Sequence, residues 1–307
     1  MSTTTGPFSS EQQWEFETPE IGGIVVGFDG SPASRSAIET ASAIAVANGW
    51  KVRVVSVIPP MSSYKLNLGA DEPPAEIEDL RIQLRDAAIR DAIGTQLDRA
   101  EWVRQVVIGK PAREIAEVAD KCAANLIILG HSQRHGIERL LSSGTTSQVL
   151  HSSSVPVLLV ENEIAKPASV VVAVDFSRAS ARAASVALQM VASPGTVYLA
   201  YVQESLGIAP ERVTARDAES YSGETLGLFR RLLARLRPPR GVVVQTVVLN
   251  GIPVPAITEF CQQVGADLLA VGTRGMSAPA RAVLGSVSVG LARKLHIPVL
   301  IAPAHAN

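Results

Sequence analysis

Apolar positions along the chain fall into two alternating patterns. Short runs rich in β-branched residues, such as "GIVVGF" (23–28), "VRVVSVI" (52–58) and "NLIILG" (125–130), are separated by longer stretches in which apolar residues return every three or four positions, as in "PASRSAIETASAIAVAN" (32–48). Runs of the first kind read as buried strands and the second as helices, and their regular alternation is the signature of a parallel sheet covered on both faces. The pattern predicts strands near 23–29, 51–58, 103–109, 125–130 and 155–160, with helices at 33–48, 75–100, 111–123 and 144–152. A second set follows, with strands near 169–175, 196–203, 241–249, 267–272 and 298–302 and helices at 178–192, 211–236, 254–264 and 286–296. Ser31-Pro32 and Pro111 mark helix starts and Gly49 a helix stop.

The two sets are copies of one plan. "ANLIILGHSQ" (124–133) answers "ADLLAVGTRG" (266–275), "VIGKPAREIAEVA" (107–119) answers "VLNGIPVPAITEF" (248–260), and "SVPVLLV" answers "HIPVLIA". Gly109 with Gly251, Gly130 with Gly272 and Pro156 with Pro298 share an offset of 142, and "IVVGFDGS" (24–31) precedes "VVVAVDFS" (170–177) by 146. The chain therefore divides into an N-terminal arm (1–20), a first module (21–161) and a second module (168–303). The arm, polar and acidic without a basic and apolar leader, is expected to be flexible and not a secretion signal.

Composition narrows the function classes. With 47% apolar and 19% charged residues the chain has the balance of a soluble globular protein, and its apolar runs are too short to span a bilayer, so a cytoplasmic protein is expected. A net charge of −1 offers no broad electrostatic footprint for nucleic acid. The basic run "FRRLLARLRPPR" (229–240) reads as a helix with a core face at Leu228, Leu232, Leu233 and Leu236 and a solvated basic side. Cys122 and Cys261 stand far apart without a CxxC partner and are expected to be reduced, packed thiols. His131 and His135, lacking a carboxylate or cysteine companion, read as surface residues, and no metal site is assigned.

The candidate chemistry lies at strand ends. In an open α/β sheet, ligands bind beyond the carboxyl ends of the strands where the winding direction reverses. Asp175 ends the first strand of module 2 and Gly272 its fourth, and "VGTRGMSAPARAVLGSVS" (271–288) then gives up its side chain at Gly272, Gly275 and Gly285. Glycine inside an element costs about 0.5–1 kcal/mol relative to alanine, so spaced glycines point to positive φ or to something approaching the backbone closely. A polyphosphate is the expected visitor. Gly285-Ser286 opens a helix whose free N–H groups favour an anion, and Arg274 and Arg281 add positive charge.

The spacing Gly272-x2-Gly275-x9-Gly285-Ser286, preceded by "VVVAVDFS" and followed by "HIPVLIA", resembles the ATP-binding branch of the universal stress protein family, and the resemblance covers both modules. It implies two tandem five-stranded Rossmann-like modules with strand order 3-2-1-4-5, related by a pseudo-two-fold axis. It also implies ATP with Mg²⁺ in module 2, with Asp175 and the Val202 backbone around the adenosine. Gly272, Thr273, Arg274 and Gly275 would line the ribose and phosphates, and Gly285, Ser286, Val287 and Ser288 would hold the phosphate tail. Module 1 departs from the pattern: Gln133 stands where the second glycine belongs and Ser143-Gly144 replaces Gly-Ser. A weaker second site is expected there, at Asp29, Val57, Gly130, Gly144, Thr145 and Thr146.

The same acids, Asp29 and Asp175, are also ordinary helix-start signals in "DGSPAS" and "DFSRAS", and both readings stand at this point. Three function classes follow. A nucleotide-binding regulator with an unknown protein partner is favoured by the resemblance. A nucleotide-independent tandem scaffold is allowed by the altered loop of module 1. An enzyme is disfavoured because there is no GxxxxGK[ST] and no base fixed beside the phosphate loop, so no catalytic residue is assigned, slow hydrolysis remaining open. The apolar fifth strands, 155–160 and 297–302, are expected to pair across the two modules, with further association into a homodimer left open.

Overall fold

The computed structural model describes residues 23–60, 75–94, 101–131, 144–164, 166–203, 215–273, 285–294 and 296–304. Module 1 runs β1 (Gly23–Gly27), α1 (Pro32–Asn48), β2 (Lys51–Ile58), α2 (Ala75–Ile93), β3 (Trp102–Ile108), α3 (Pro111–Lys121), β4 (Leu126–Gly130), α4 (Thr145–Ser152) and β5 (Val157–Val160). Module 2 repeats it as β6 (Ser169–Ala173), α5 (Arg178–Met190), β7 (Gly195–Gln203), α6 (Ala215–Leu233), β8 (Val242–Asn250), α7 (Pro253–Gln263), β9 (Leu268–Gly272), α8 (Ser286–Lys294) and β10 (Val299–Ala302).

Local chemistry accounts for the boundaries. Pro32 occupies the first turn of α1, the Ser31 hydroxyl accepts from the Ser34 N–H at 3.1 Å, and Gly49 stops the helix in the left-handed region at φ 68°. The fifth strands begin after Pro156 and Pro298, later than the apolar pattern suggests, because proline has no N–H to give a ladder. β1 and β6 end two residues early, at Gly27 and Ala173, where the chain turns into the following helix. The α2 helix ends at Ile93, residues 95–100 of the expected helix lying outside the described residues. At the end of α6, Phe229 and Leu232 form the buried face together with Leu236 just beyond the helix, while Leu233 is exposed rather than in the core.

The ten strands form one sheet in the order β3-β2-β1-β4-β5-β10-β9-β6-β7-β8. Within each module every pairing is parallel and the order is 3-2-1-4-5; the junction, β5 against β10, is antiparallel. Leu158 pairs with Leu300, flanked by Val157 with Ile301 and Leu159 with Val299. Leu158 and Leu300 are also equivalent positions of the repeat, 142 residues apart, so the pseudo-two-fold axis passes through this pair. Arg182 of α5 reaches across to donate to the Ser154 carbonyl at 2.8 Å.

Alternation along the strands sends residues to two cores, one on each face. On one face Ile24, Leu126, Leu158, Leu300 and Leu268 pack under α1, α2, α5 and α6. On the other, Val25, Ile127, Leu159, Val299 and Leu269 pack under α3, α4, α7 and α8. Each core contains residues of both modules and runs unbroken through the junction, where Leu158 and Leu300 are fully buried. Burying a leucine side chain contributes about 1.5–3 kcal/mol, so even this four-residue strand pair is a substantial seam. Among the described residues no helix is long and apolar enough to cross a membrane.

Candidate functional site

Winding reverses between β6 and β9 in module 2 and between β1 and β4 in module 1, which places one crevice in each module. Because β5 and β10 run antiparallel, the two crevices open at opposite ends of the sheet.

In module 2 the crevice is bounded on one side by the turn after β6. Asp175 Oδ1 accepts from the Ser177 N–H at 3.0 Å and from the Ser177 hydroxyl at 2.6 Å. Ser177 caps α5 by accepting from the Ser180 N–H at 3.2 Å. The helix-start reading of Asp175 is thus realised through Ser177: the acid braces the capping residue, which holds the carboxylate at the mouth of the crevice. Between them Phe176 takes a left-handed backbone, φ 61°. Such a conformation costs a side-chain-bearing residue about 1–2 kcal/mol. Its ring packs 5.1 Å from that of Tyr201 and 5.0 Å from that of Phe229, edge-on to the latter, which offsets the strain.

The neighbouring strand supplies the backbone. The Val174 N–H bonds the Ala200 carbonyl at 2.8 Å while the Gln203 carbonyl accepts from Gly251 on the β8 side. Since peptide groups on a strand alternate sides, those of Val202 face β6, but β6 has already ended at Ala173. They border the crevice beyond the end of that strand.

On the far side, β9 and α8 are clamped together. The Gly285 N–H donates to the Thr273 carbonyl at 2.6 Å, and the buried Ser288 hydroxyl donates to the Gly272 carbonyl at 2.6 Å. Val289 N–H bonds the Gly285 carbonyl at 3.1 Å, so Gly285 stands at the start of α8 and the N–H groups of Ser286, Val287 and Ser288 belong to its first turn. The segment 274–284, with Arg274, Gly275 and Arg281, lies outside the described residues, but both of its ends are fixed by these bonds.

The space a side chain would need at Gly272 is taken by a helix start. A Cβ there would stand 2.7 Å from Ala179 Cβ and 2.8 Å from Ser180 N, in the first turn of α5. Its counterpart Gly130 would drive a Cβ into the backbone of Ala33 and Ser34 in α1. The first glycine of each loop exists to let a helix start lie on a strand end.

Module 1 reproduces most of this. Ser31 N–H donates to Asp29 Oδ1 at 2.9 Å, Gly30 takes the left-handed position at φ 89°, and the peptide groups of Val57 lie beyond the end of β1. Enclosure at the mouth pushes the Asp29 carboxyl up, but hydrogen bonds from the Ser31 hydroxyl and N–H and from Ser34 outweigh it and hold the group below its ordinary value. Gly144 caps α4 as Gly285 caps α8, and the Gln148 N–H bonds its carbonyl at 3.1 Å, so Thr145 and Thr146 open the helix. Gly144 stands fourteen positions after Gly130 and Gly285 thirteen after Gly272, so the transposed Ser143-Gly144 goes with one extra residue before the helix start. Ser143, Gln133 and His135 lie outside the described residues.

Three residues correct or extend the sequence picture. Arg85 of α2 donates to the Asp29 carbonyl at 2.7 Å and stands across the mouth of this crevice, a contact 56 residues distant that no local pattern signals. His131 is half-buried rather than fully exposed: its Nε2 is enclosed and, among the described residues, has no hydrogen-bond partner, and burial lowers its pKa against an opposing pull from Glu161. Cys122 is exposed, at the frayed end of α3 before a left-handed Ala123 at φ 49°, whereas Cys261 is packed and its thiol is pushed up to about 12 by burial.

A family model described as the universal stress protein family matches residues 21–161 and 168–303. A universal stress protein of Mycobacterium tuberculosis is 27% identical over 307 residues, covering 91% of this chain and 94% of that protein. A second from the same organism is 26% identical over 297 residues, covering 91% of this chain and 96% of its own length. Among solved structures, a universal stress protein from Archaeoglobus fulgidus superposes with a TM-score of 0.66 at 21% identity, over 94% of this chain and 98% of that one.

Proposed function

Since the chain belongs to the universal stress protein family, we propose that it is an ATP-binding regulator whose working site is the module 2 crevice. The observation that carries this reading is the clamp between β9 and α8, which presents the first turn of α8 beside the end of β9, facing Asp175 and the Val202 peptide groups. These residues fit a nucleotide: backbone donors and acceptors at Val202 for a base, a carboxylate at Asp175 for a hydroxyl-bearing sugar, and a helix start whose N–H groups at Ser286, Val287 and Ser288 suit anionic oxygens, the Ser288 hydroxyl being held by Gly272. Arg274 and Gly275 would complete the phosphate end, beside Thr273, whose backbone N–H and carbonyl are held by Ala302 and Gly285. Bound Mg²⁺ would neutralise part of the polyphosphate charge. No step of catalysis is assigned to the chain; ATP acts as an occupant that biases shape or partner choice, in a protein that works in the cytoplasm. The module 1 crevice, with Arg85 across its mouth and Gln133 in its loop, is the weaker site.

Mass spectrometry of material released from the native protein on denaturation tests the assignment. Saturation with ATP and Mg²⁺ at about a hundred times the dissociation constant should stabilise the protein by roughly 2.7 kcal/mol. Asp175→Ala should lose most of this gain while remaining folded, and calorimetry should count one strong site per chain. Unfolding indifferent to millimolar ATP refutes the reading, and turnover at ordinary enzymatic rates refutes the regulatory part of it.

A further inference from the structure

The antiparallel junction brings the carboxyl ends of β4 and β5 beside the amino ends of β9 and β10, and a cavity of about 390 Å³ lies where they meet. It lies apart from the module 2 crevice, Asp175, Val202 and Gly285 not being among its walls, and it meets the module 1 loop only at His131, which follows Gly130. Its lining combines the apolar Leu159, Ile297, Pro298 and Val299 with the polar His131, Glu161, Lys166, Asp267 and His296. Its size lies within the range of small-molecule sites.

The connecting segment that closes this cavity is tied down on both sides. The Ile164 N–H donates to Thr40 Oγ1 at 3.2 Å, and the Ala168 and Ser169 N–H groups both donate to Asp267 Oδ2 at 2.9 Å. The Asp267 charge is therefore committed to the backbone. Lys166 and Glu161 are different. Both are partly buried and line one half-open pocket, and among the described residues no ion pair joins them to each other, while the Glu161 charge acts on the nearby His131. Burial alone accounts for the lowered pKa of the Lys166 ammonium, with no carboxylate to oppose it. The buried Nε2 of His131 lacks a partner as well. A folded chain leaves such groups unanswered at a cost, and the cost is recovered if a ligand answers them.

We infer that this junction cavity binds a small zwitterion with an apolar body, of the class of an α-amino acid with an aliphatic side chain. The carboxylate would meet the Lys166 ammonium, the ammonium would meet Glu161 with His131 beside it, and the side chain would lie on Leu159, Ile297 and Val299. Two opposite charges that do not meet each other call for a ligand carrying both, and the apolar wall rejects one that is only polar. Because both modules and their connection build the cavity, occupancy ties the two halves together at a point the nucleotide does not touch.

Isothermal calorimetry on the full chain with L-leucine tests this, with isocaproate, which lacks the ammonium, and isoamylamine, which lacks the carboxylate, as single-charge controls. One leucine should bind per chain, with both controls at least about ten-fold weaker. Lys166→Met and Glu161→Gln should each weaken leucine by about ten-fold or more, as expected when one partner of a partly desolvated charged hydrogen bond is removed. Both variants should keep the wild-type unfolding transition, which shows that they are folded. The inference is overturned if leucine gives neither heat nor stabilisation, if either single-charge control binds as well as leucine, or if either variant binds leucine like wild type.

Discussion

Replacing Gly272 by alanine separates two explanations of the glycine-rich segment, one in which the glycine makes room for a ligand and one in which it makes room for a helix. The added Cβ would lie 2.7 Å from Ala179 Cβ, 2.8 Å from Ser180 N and 2.9 Å from the Ala179 carbonyl carbon, so the start of α5 must move. Overpacking of this kind costs about 1–3 kcal/mol. Removing a glycine from the unfolded chain returns about 0.4–1 kcal/mol. The net expectation for Gly272→Ala is a loss of about 1–2 kcal/mol, read by urea denaturation with no nucleotide present. Ala179→Gly on the same background removes the nearest atom and should recover roughly half, the backbone contacts of Ala179 and Ser180 remaining. Gly130→Ala should cost more, about 3 kcal/mol, and resist rescue at residue 33, because the atoms it meets are all backbone atoms of Ala33 and Ser34. If the nucleotide-free Gly272→Ala protein is as stable as wild type, the helix-packing account of this glycine is wrong.

Leu158→Asp places a charge at a fully buried position on the two-fold axis and should cost more than about 4 kcal/mol, with dye binding reporting exposed apolar surface; unchanged stability and solubility would contradict the β5–β10 seam. Burial holds the His131 imidazole below its ordinary value of 6.5, partly opposed by Glu161, so between the folded and unfolded values the unfolded chain binds more protons. Stability should therefore fall as pH drops below about 6.5, and His131→Gln should flatten that slope in urea midpoints measured across the range. A disulfide reagent at neutral pH should label Cys122 rapidly and Cys261 only on unfolding, since the exposed thiol is accessible and the buried one is held protonated near 12; two fast thiols would show that α7 opens.

The architecture is legible in the sequence because strand and helix periods, proline and glycine punctuation and the repeat all agree, and the repeat places equivalent residues without any tertiary information. The candidate site is legible only in part. That something comes close to Gly272 follows from the absence of a side chain, but that the neighbour is α5 depends on the layer packed over β9. Asp175 has both roles because a strand end beside a crevice is also a helix start. Arg85 and the buried Nε2 of His131 escape a linear reading, since one acts over 56 residues and the other belongs to a residue lining a pocket shared with the second module. Phe176 escapes for another reason: its left-handed backbone is unfavourable locally and is held there by Tyr201 and Phe229.

Joining the two modules through the Leu158–Leu300 pair has an evolutionary consequence. In an assembly of two identical chains every substitution falls on both crevices, so neither can change without the other. Within one polypeptide the copies inherit changes separately, and only the residues around the axis must stay mutually compatible. Gln133 opposite Gly275, and Gly30 opposite Phe176, are changes of this kind, confined to one half while the shared seam keeps its matched leucines. The two crevices of one chain are thus free to diverge while the seam between them stays matched.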